Sequence, residues 1–184
     1  MSYELKKGKL LISTIGLSDP NFQHTAVLLC DYGPQQGAYG LILNRRIEIP
    51  SELKAQAPYT EGNLFQGGPV QPGNLQILHP YGHMLTGAVD VVDGVWLGAE
   101  FQSLESSIAS GVCDPDECRF FLGYSGWSAE QLEAEIEQNA WVVVNATPDL
   151  IWDTAPESLW GAAVRSQKAS DPLFKNFPEH PSMN

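Results

Sequence analysis

The sequence predicts an α+β fold in which helices pack against a mainly antiparallel sheet. Three observations predict this class. Several apolar, strand-like segments follow one another without strict alternation with helices. The pair Asp93-Gly94 separates Val89–Val92 from Val95–Leu97, a pattern typical of a β-hairpin. The composition, 43% hydrophobic and 17% charged over 184 residues, is that of a folded domain.

The strands are predicted from apolar segments bounded by turn residues. Thr25–Cys30 and Ala38–Leu43 are nearly continuous apolar runs, which predicts burial of both strand faces. Turn residues such as Asp19-Pro20 punctuate the chain between strands. The other predicted strands, besides the hairpin, are Lys9–Thr14, Leu75–His79, Arg119–Tyr124 and Trp141–Asn145.

Four helices are predicted from capping residues and apolar periodicity. A short helix begins at Ser51 and must end before Pro58, and a second starts near Phe101. Ser128 and Gln131 form a capping box for the third. Pro156 is a good first residue for the fourth. We expect one domain over residues 1–169 and an extended, proline-rich tail over residues 170–184.

Charge and hydropathy exclude several classes of function. The net charge of -12 predicts repulsion of nucleic acid and of anionic lipid, since phosphate binding requires clustered Lys and Arg. No apolar run reaches the roughly 18 residues that span a bilayer, and Met1–Gly8 has no signal-peptide core. We therefore expect a cytoplasmic protein that does not bind membranes, with reduced cysteines.

No motif in the sequence predicts a catalytic residue, a cofactor or a metal ion. Gly123–Gly126 contains a serine but lacks the Gly-x-Ser-x-Gly spacing of a nucleophile elbow. Cys113 and Cys118 are too far apart for a zinc knuckle and are interpreted as surface thiols of a loop. His79 and His83 have helical metal-site spacing, but Pro80 and Gly82 place them in a loop.

Two short segments are candidates for binding. Asn44-Arg45-Arg46 forms a polar cluster at the end of a buried strand, where binding sites often lie, although a simple polar strand end is an alternative. Gly67-Gly68-Pro69 could offer backbone N–H groups to an anion, although a tight turn is the alternative interpretation.

Taken together, several segments resemble the AlgH/YqgE family of bacterial proteins, from about Gly8 to Arg165. Two positions depart from the family pattern: Arg46 stands where proline is usual, and Ala129-Glu130 replaces a common glycine. The order and spacing of the segments make the resemblance specific. The segments are Gly8–Ser13, Leu17–Phe22, Thr25–Cys30, Gly37–Arg45, Gly67–Val70, Leu78-His79, Arg119–Trp127, Gln131–Glu133 and Trp141.

The resemblance implies a sheet folded into a pseudo-barrel with helices around it. The family is often labelled as transcriptional regulators, and it supplies no catalytic residues. Its signature positions give a candidate binding surface, made of Asn44, Arg45, Gly67, Gly68, Pro69, Gly123, Tyr124, Gly126 and Trp127.

Three functions follow as hypotheses. The first is a binding or regulatory module for an unidentified protein or small-molecule ligand, with an indirect effect on transcription. The second is an enzyme acting on a small anionic substrate, with Arg45 as the anion clamp and Tyr124 as a proton donor. The third, direct DNA binding, is disfavoured by the acidic composition.

Overall fold

The computed structural model describes residues 4–168, with side chains up to residue 165. The strands are β1 (Lys9–Ser13), β2 (Ala26–Gly33), β3 (Gly37–Ile42), β4 (Leu64–Gln66), β5 (Val70–His79), β6 (Val89–Val92), β7 (Val95–Leu97), β8 (Arg119–Trp127) and β9 (Trp141–Asn145). The helices are α1 (Ser51–Gln56), α2 (Phe101–Ala109), α3 (Gln131–Glu137) and α4 (Pro156–Lys168). The predicted tail, residues 170–184, lies outside the described residues.

The strands form one curled sheet, a half-barrel with the order β6-β7-β5-β8-β3-β2-β1-β9. Every pairing along this path is antiparallel. The exception is β4, which lies outside the path and pairs parallel to β8, with Phe65 opposite Phe121. The predicted α+β class and the pseudo-barrel implied by the family resemblance are therefore confirmed.

Both faces of the central strands are buried, as the continuous apolar runs predict. In β2, Leu28 belongs to the core inside the curl, whereas Val27 and Leu29 belong to a second core on the opposite face. Strand β1 alternates in the same way. Helix α4 closes the inner core, and its Trp160 indole N–H donates to the carbonyl of Ser13 at 3.0 Å.

Helix α3 packs on the second core with Leu132 and Ile136, and its Glu135 side chain holds two tryptophans of that core. One carboxylate oxygen of Glu135 accepts the indole N–H of Trp127 at 2.9 Å and that of Trp141 at 2.7 Å. The ring of Phe22 stacks on Trp127, with centroids 5.9 Å apart. A carboxylate on the helix thus holds two buried indoles whose N–H groups would otherwise lack a partner.

Several element boundaries differ from the predictions: β2 runs to Gly33 rather than Cys30, and β5 begins at Val70 rather than Leu75. Strand β8 continues past Tyr124 to Trp127, because its last residues pair with β3. Helix α3 begins at Gln131 rather than at Ser128, since Glu130 has a left-handed backbone with φ of 64°. The Gln131 side chain still accepts the backbone N–H of Ser128 at 3.0 Å, which is half of the predicted capping box. No helix among residues 4–168 is long and apolar enough to cross a membrane.

Candidate functional site

A cavity of about 580 Å³ lies where β4, the start of β8 and the segment before α4 meet. Small-molecule sites in proteins are commonly clefts of this size that combine apolar walls with a few polar groups. The cavity is lined by Arg46, Asn63, Phe65, Pro80, Asp116, Glu117, Cys118, Arg119, Trp152, Asp153, Thr154, Ala155 and Pro156.

Arg119 is the most unusual residue of this cavity because its guanidinium is buried without an anionic partner. It opens β8 opposite Leu78 of β5, and only 7% of its surface is exposed. Its Nη2 donates to the carbonyl of Thr154 at 3.4 Å, whereas its buried Nη1 has no hydrogen-bond partner. Buried arginines are normally paired with carboxylates, and an unpaired one therefore requires an explanation.

A second guanidinium and two aromatic rings complete this part of the cavity. Arg46 follows β3 and forms an isolated antiparallel bridge with Phe65 of β4, which brings its side chain to the cavity. The guanidinium carbon of Arg46 lies 5.5 Å from the centre of the Phe65 ring. That of Arg119 lies 5.7 Å from the centres of both Phe65 and Trp152. These distances are those of cation–π contacts.

The electrostatics of Arg119 follow from this geometry. Burial, and secondly the positive charge of Arg46, lower the pKa of Arg119 from 12.5 to about 10. The group is therefore charged at neutral pH, but its charge has lost water without gaining a counter-ion. None of the three ion pairs within residues 4–168 includes Arg46 or Arg119. An anion in the cavity would supply the missing acceptor.

The rim of the cavity carries acidic side chains. Asp116, Glu117 and Asp153 line it and are exposed. The Tyr81 hydroxyl donates to Glu117 and also accepts the backbone N–H of Asp114 at 2.7 Å, so it fixes the turn that carries the rim. The cavity therefore combines two guanidiniums with an acidic margin.

Cys113 and Cys118 are buried next to this rim, so the interpretation as surface thiols was wrong. Their exposed fractions are 2% and 1%, and their Sγ atoms lie 3.6 Å apart. They pack with Leu104 of α2 and Phe120 of β8 in a third hydrophobic core, because the loop between these elements folds back onto the sheet. This contact is between distant elements and leaves no local pattern in the sequence.

Five residues of the predicted binding surface lie close together where β8 passes the segment after β4. They are Gly67, Gly68, Gly123, Tyr124 and Gly126. A Cβ added at Gly67 would lie 2.2 Å from the carbonyl oxygen of Gly123, and one at Gly68 would lie 2.2 Å from the backbone of Tyr124. A Cβ at Gly126 would lie 3.2 Å from the Tyr124 ring. The glycines therefore permit close backbone packing. The neighbouring Pro69 is exposed.

The other three predicted residues have structural contacts in different places. Asn44 joins two segments, since its side chain accepts the N–H of Ala26 at 2.9 Å and donates to the carbonyl of His24 at 2.8 Å. Arg45 donates to backbone carbonyls of the loop Pro20–Gln23, including that of Asn21 at 2.6 Å. Trp127 lies in the second core with Glu135, as described above. Binding by this surface stays a prediction.

His79 is a buried residue with both ring nitrogens engaged. Its Nδ1 accepts the backbone N–H of Tyr81 at 3.2 Å, so the proton lies on Nε2, which donates to the carbonyl of Gly98 at 2.9 Å. Burial lowers the pKa of His79, which favours this neutral form.

Arg119 was not among the predicted site residues, whereas Arg46 belonged to the predicted polar cluster Asn44-Arg45-Arg46 and departed from the family pattern. One local signal in the sequence points to Arg119. Burial of an arginine at the start of the apolar run Phe120–Leu122 is costly, which indicates that the residue has a function. Its meeting with Arg46 and Trp152 depends on the parallel pairing of β4 with β8, which local pattern does not predict.

The family model and the relatives that match this chain agree with one another. The AlgH-like family model matches residues 10–170. A UPF0301 protein of Chlorobium limicola is 40% identical over 182 residues, covering 98% of this chain and 97% of that protein. A UPF0301 protein of Cytophaga hutchinsonii is 37% identical over 183 residues, covering 98% of this chain and 100% of that protein.

Two solved structures have a similar fold. The solution structure of AlgH from Pseudomonas aeruginosa has a TM-score of 0.69 and 28% identity, covering 94% of each chain. The crystal structure of DIP2367 from Corynebacterium diphtheriae has a TM-score of 0.72 and 19% identity, covering 96% of this chain and 95% of that one. The second comparison supports the fold alone.

Proposed function

The chain belongs to the AlgH-like family, and from its own geometry we propose that it is a binding module whose cavity takes a small anionic ligand. The observation that carries the proposal is the buried Arg119 guanidinium, whose Nη1 has no acceptor and which lines a cavity of about 580 Å³. A buried charge without a counter-ion lowers the stability of the folded protein. Such a cost is expected at a site that serves binding rather than the fold.

The ligand is expected to carry a carboxylate or a phosphate. A guanidinium presents donors in a planar fork that matches either group, and Arg46 adds a second positive charge beside Arg119. The exposed carboxylates of Asp116 and Asp153 at the rim favour a ligand that also has hydrogen-bond donors, such as hydroxyl or ammonium groups. They disfavour a highly charged polyanion.

The test is a thermal unfolding series with sodium phosphate, sulfate and a dicarboxylate at constant ionic strength. A ligand present at one hundred times its Kd stabilises the folded state by about 2.7 kcal/mol. For a protein of this length that raises the Tm by several degrees. We expect at least one of these anions to do so with a saturable dose dependence.

Arg119→Met is the site variant, and Arg165→Met is its matched control. Arg165 is an exposed residue of α4, so its removal changes the net charge by the same amount without touching the cavity. The anion effect should vanish in Arg119→Met and persist in Arg165→Met. Equal stabilisation of all three proteins would reduce the effect to non-specific salt screening and refute the proposal.

A regulatory role is compatible with this proposal if it is indirect. The net charge of -12 argues against direct contact with DNA, so an influence on transcription would pass through a bound ligand or a partner protein. The surface predicted from the sequence is the proposed partner site. Loss of a partner in both Arg45→Ala and Trp127→Ala variants that remain folded would support it, and unchanged partner binding in both would contradict it.

A further inference from the structure

We propose that Cys113 and Cys118 form a reversible disulfide that responds to peroxide and changes the affinity of the neighbouring cavity for its anion. The two Sγ atoms are in contact at 3.6 Å, with no other group between them. Closing a disulfide requires their approach to about 2 Å. Cys30, the third cysteine, lies in a different core.

The pair is connected directly to the cavity. Cys118 lines the cavity and immediately precedes Arg119, so a change in its side chain acts on the start of β8. Between the two cysteines, the turn Pro115–Glu117 carries Asp116 and Glu117 of the acidic rim. A disulfide would link both ends of that turn and remove the freedom of its backbone. The effect on affinity rests on the proposed function, whereas disulfide formation does not.

The chemistry needs only a peroxide as oxidant. One thiolate attacks a peroxide oxygen of H₂O₂, which gives a sulfenic acid and hydroxide. The second thiolate attacks the sulfenic sulfur, forming the S–S bond and releasing another hydroxide. Each hydroxide takes up one of the two thiol protons, so two thiols and H₂O₂ yield one disulfide and two water molecules. A dithiol reductant reverses the step through a mixed disulfide.

The surroundings determine the rate of this reaction. Burial raises the pKa of Cys118 and that of Cys113, and the nearby acidic residues Asp114 and Glu117 act in the same direction. Few thiolates are therefore present at neutral pH, and oxidation should accelerate as the pH rises. Oxidation of the pair by peroxide should therefore be slow at neutral pH.

The experiment treats the full-length protein with H₂O₂, alkylates it in denaturant and maps its peptides by mass spectrometry. We expect a peptide pair joined through Cys113 and Cys118 with the loss of two hydrogens, while Cys30 remains alkylated. Dithiothreitol should restore three alkylated cysteines. Free thiols at both positions, or only sulfinic acid, would overturn the proposal. A Cys30→Ala variant confirms that the third thiol does not take part.

The second measurement compares phosphate binding by the reduced and oxidised proteins in calorimetric titrations. We expect Kd to differ by at least about fivefold, the lower range of ordinary coupling between sites. Cys113→Ala should show the same Kd before and after peroxide. A disulfide with an unchanged Kd would refute the regulatory part. A disulfide without phosphate binding in either state would contradict the proposed function instead and leave the redox site standing.

Discussion

Replacing Arg119 with methionine should make the ligand-free protein more stable. The substitution keeps most of the side-chain stem but removes the guanidinium. The lowering of the Arg119 pKa from 12.5 to about 10 means that burial of the charge, together with the nearby charge of Arg46, costs roughly 3 kcal/mol. If the arginine stabilised the fold, its charge would be paired, and its replacement would lower the free energy of unfolding.

Two favourable contacts are lost together with the charge. The hydrogen bond from Arg119 to the Thr154 carbonyl contributes about 1 kcal/mol. The contacts with the rings of Phe65 and Trp152 contribute about 1 kcal/mol more. The difference leaves Arg119→Met more stable by about 1 kcal/mol, which agrees in sign with replacements of other buried charges by apolar residues.

Urea unfolding followed by circular dichroism measures this difference in chloride buffer without phosphate. The expected change is a higher midpoint at an unchanged slope, together with a Tm increase of about 2–4 °C. Arg165→Met should change the free energy of unfolding by less than about 0.5 kcal/mol, as exposed substitutions usually do. A loss of 1 kcal/mol or more in Arg119→Met would make Arg119 a structural residue and refute the reasoning.

Three further predictions concern the fold. Gly67→Ala should cost about 3 kcal/mol or more, because its Cβ would lie 2.2 Å from the Gly123 carbonyl oxygen. Gly73→Ala, whose Cβ meets nothing within 4 Å, should change urea stability little, and equal costs would contradict the packing argument. Burial lowers the pKa of His79 below 6.5, so only the unfolded chain gains this proton as the pH falls below about 6.5. Stability should therefore fall in that range, and His79→Asn should have a weaker pH dependence in the same titration. Glu135→Ala should lower the free energy of unfolding by about 2 kcal/mol, because two indole N–H groups lose their acceptor; an unchanged urea midpoint would refute this role.

Local sequence pattern predicts those parts of the fold that local physics determines. The hairpin Val89–Val92 with Val95–Leu97 appears with its predicted bounds, because Asp93-Gly94 supplies the turn conformation. Strand β9, Trp141–Asn145, also has its predicted bounds. The continuous apolar run of β2 correctly predicts burial on both faces.

The remaining features depend on pairings between distant segments. Residues 125–127 lie beyond the predicted end of the strand at Tyr124, but they extend β8 because Gly126 pairs with Tyr39 of β3. Arg46 and Arg119 meet only because both contact Phe65 of β4. No periodicity or spacing encodes this contact, so the cavity was not predictable from the sequence, although Arg46 belonged to a predicted polar cluster.

The most direct test of the central claim is an NMR titration that follows the arginine side-chain Nε–H signals during addition of phosphate. We expect a saturable shift of the Arg119 signal, with a shift of Arg46 at the same midpoint, while the exposed Arg165 signal changes little. Uniform small shifts at all three arginines, or an unchanged Arg119 signal at high phosphate, would contradict the claim that this guanidinium binds an anion.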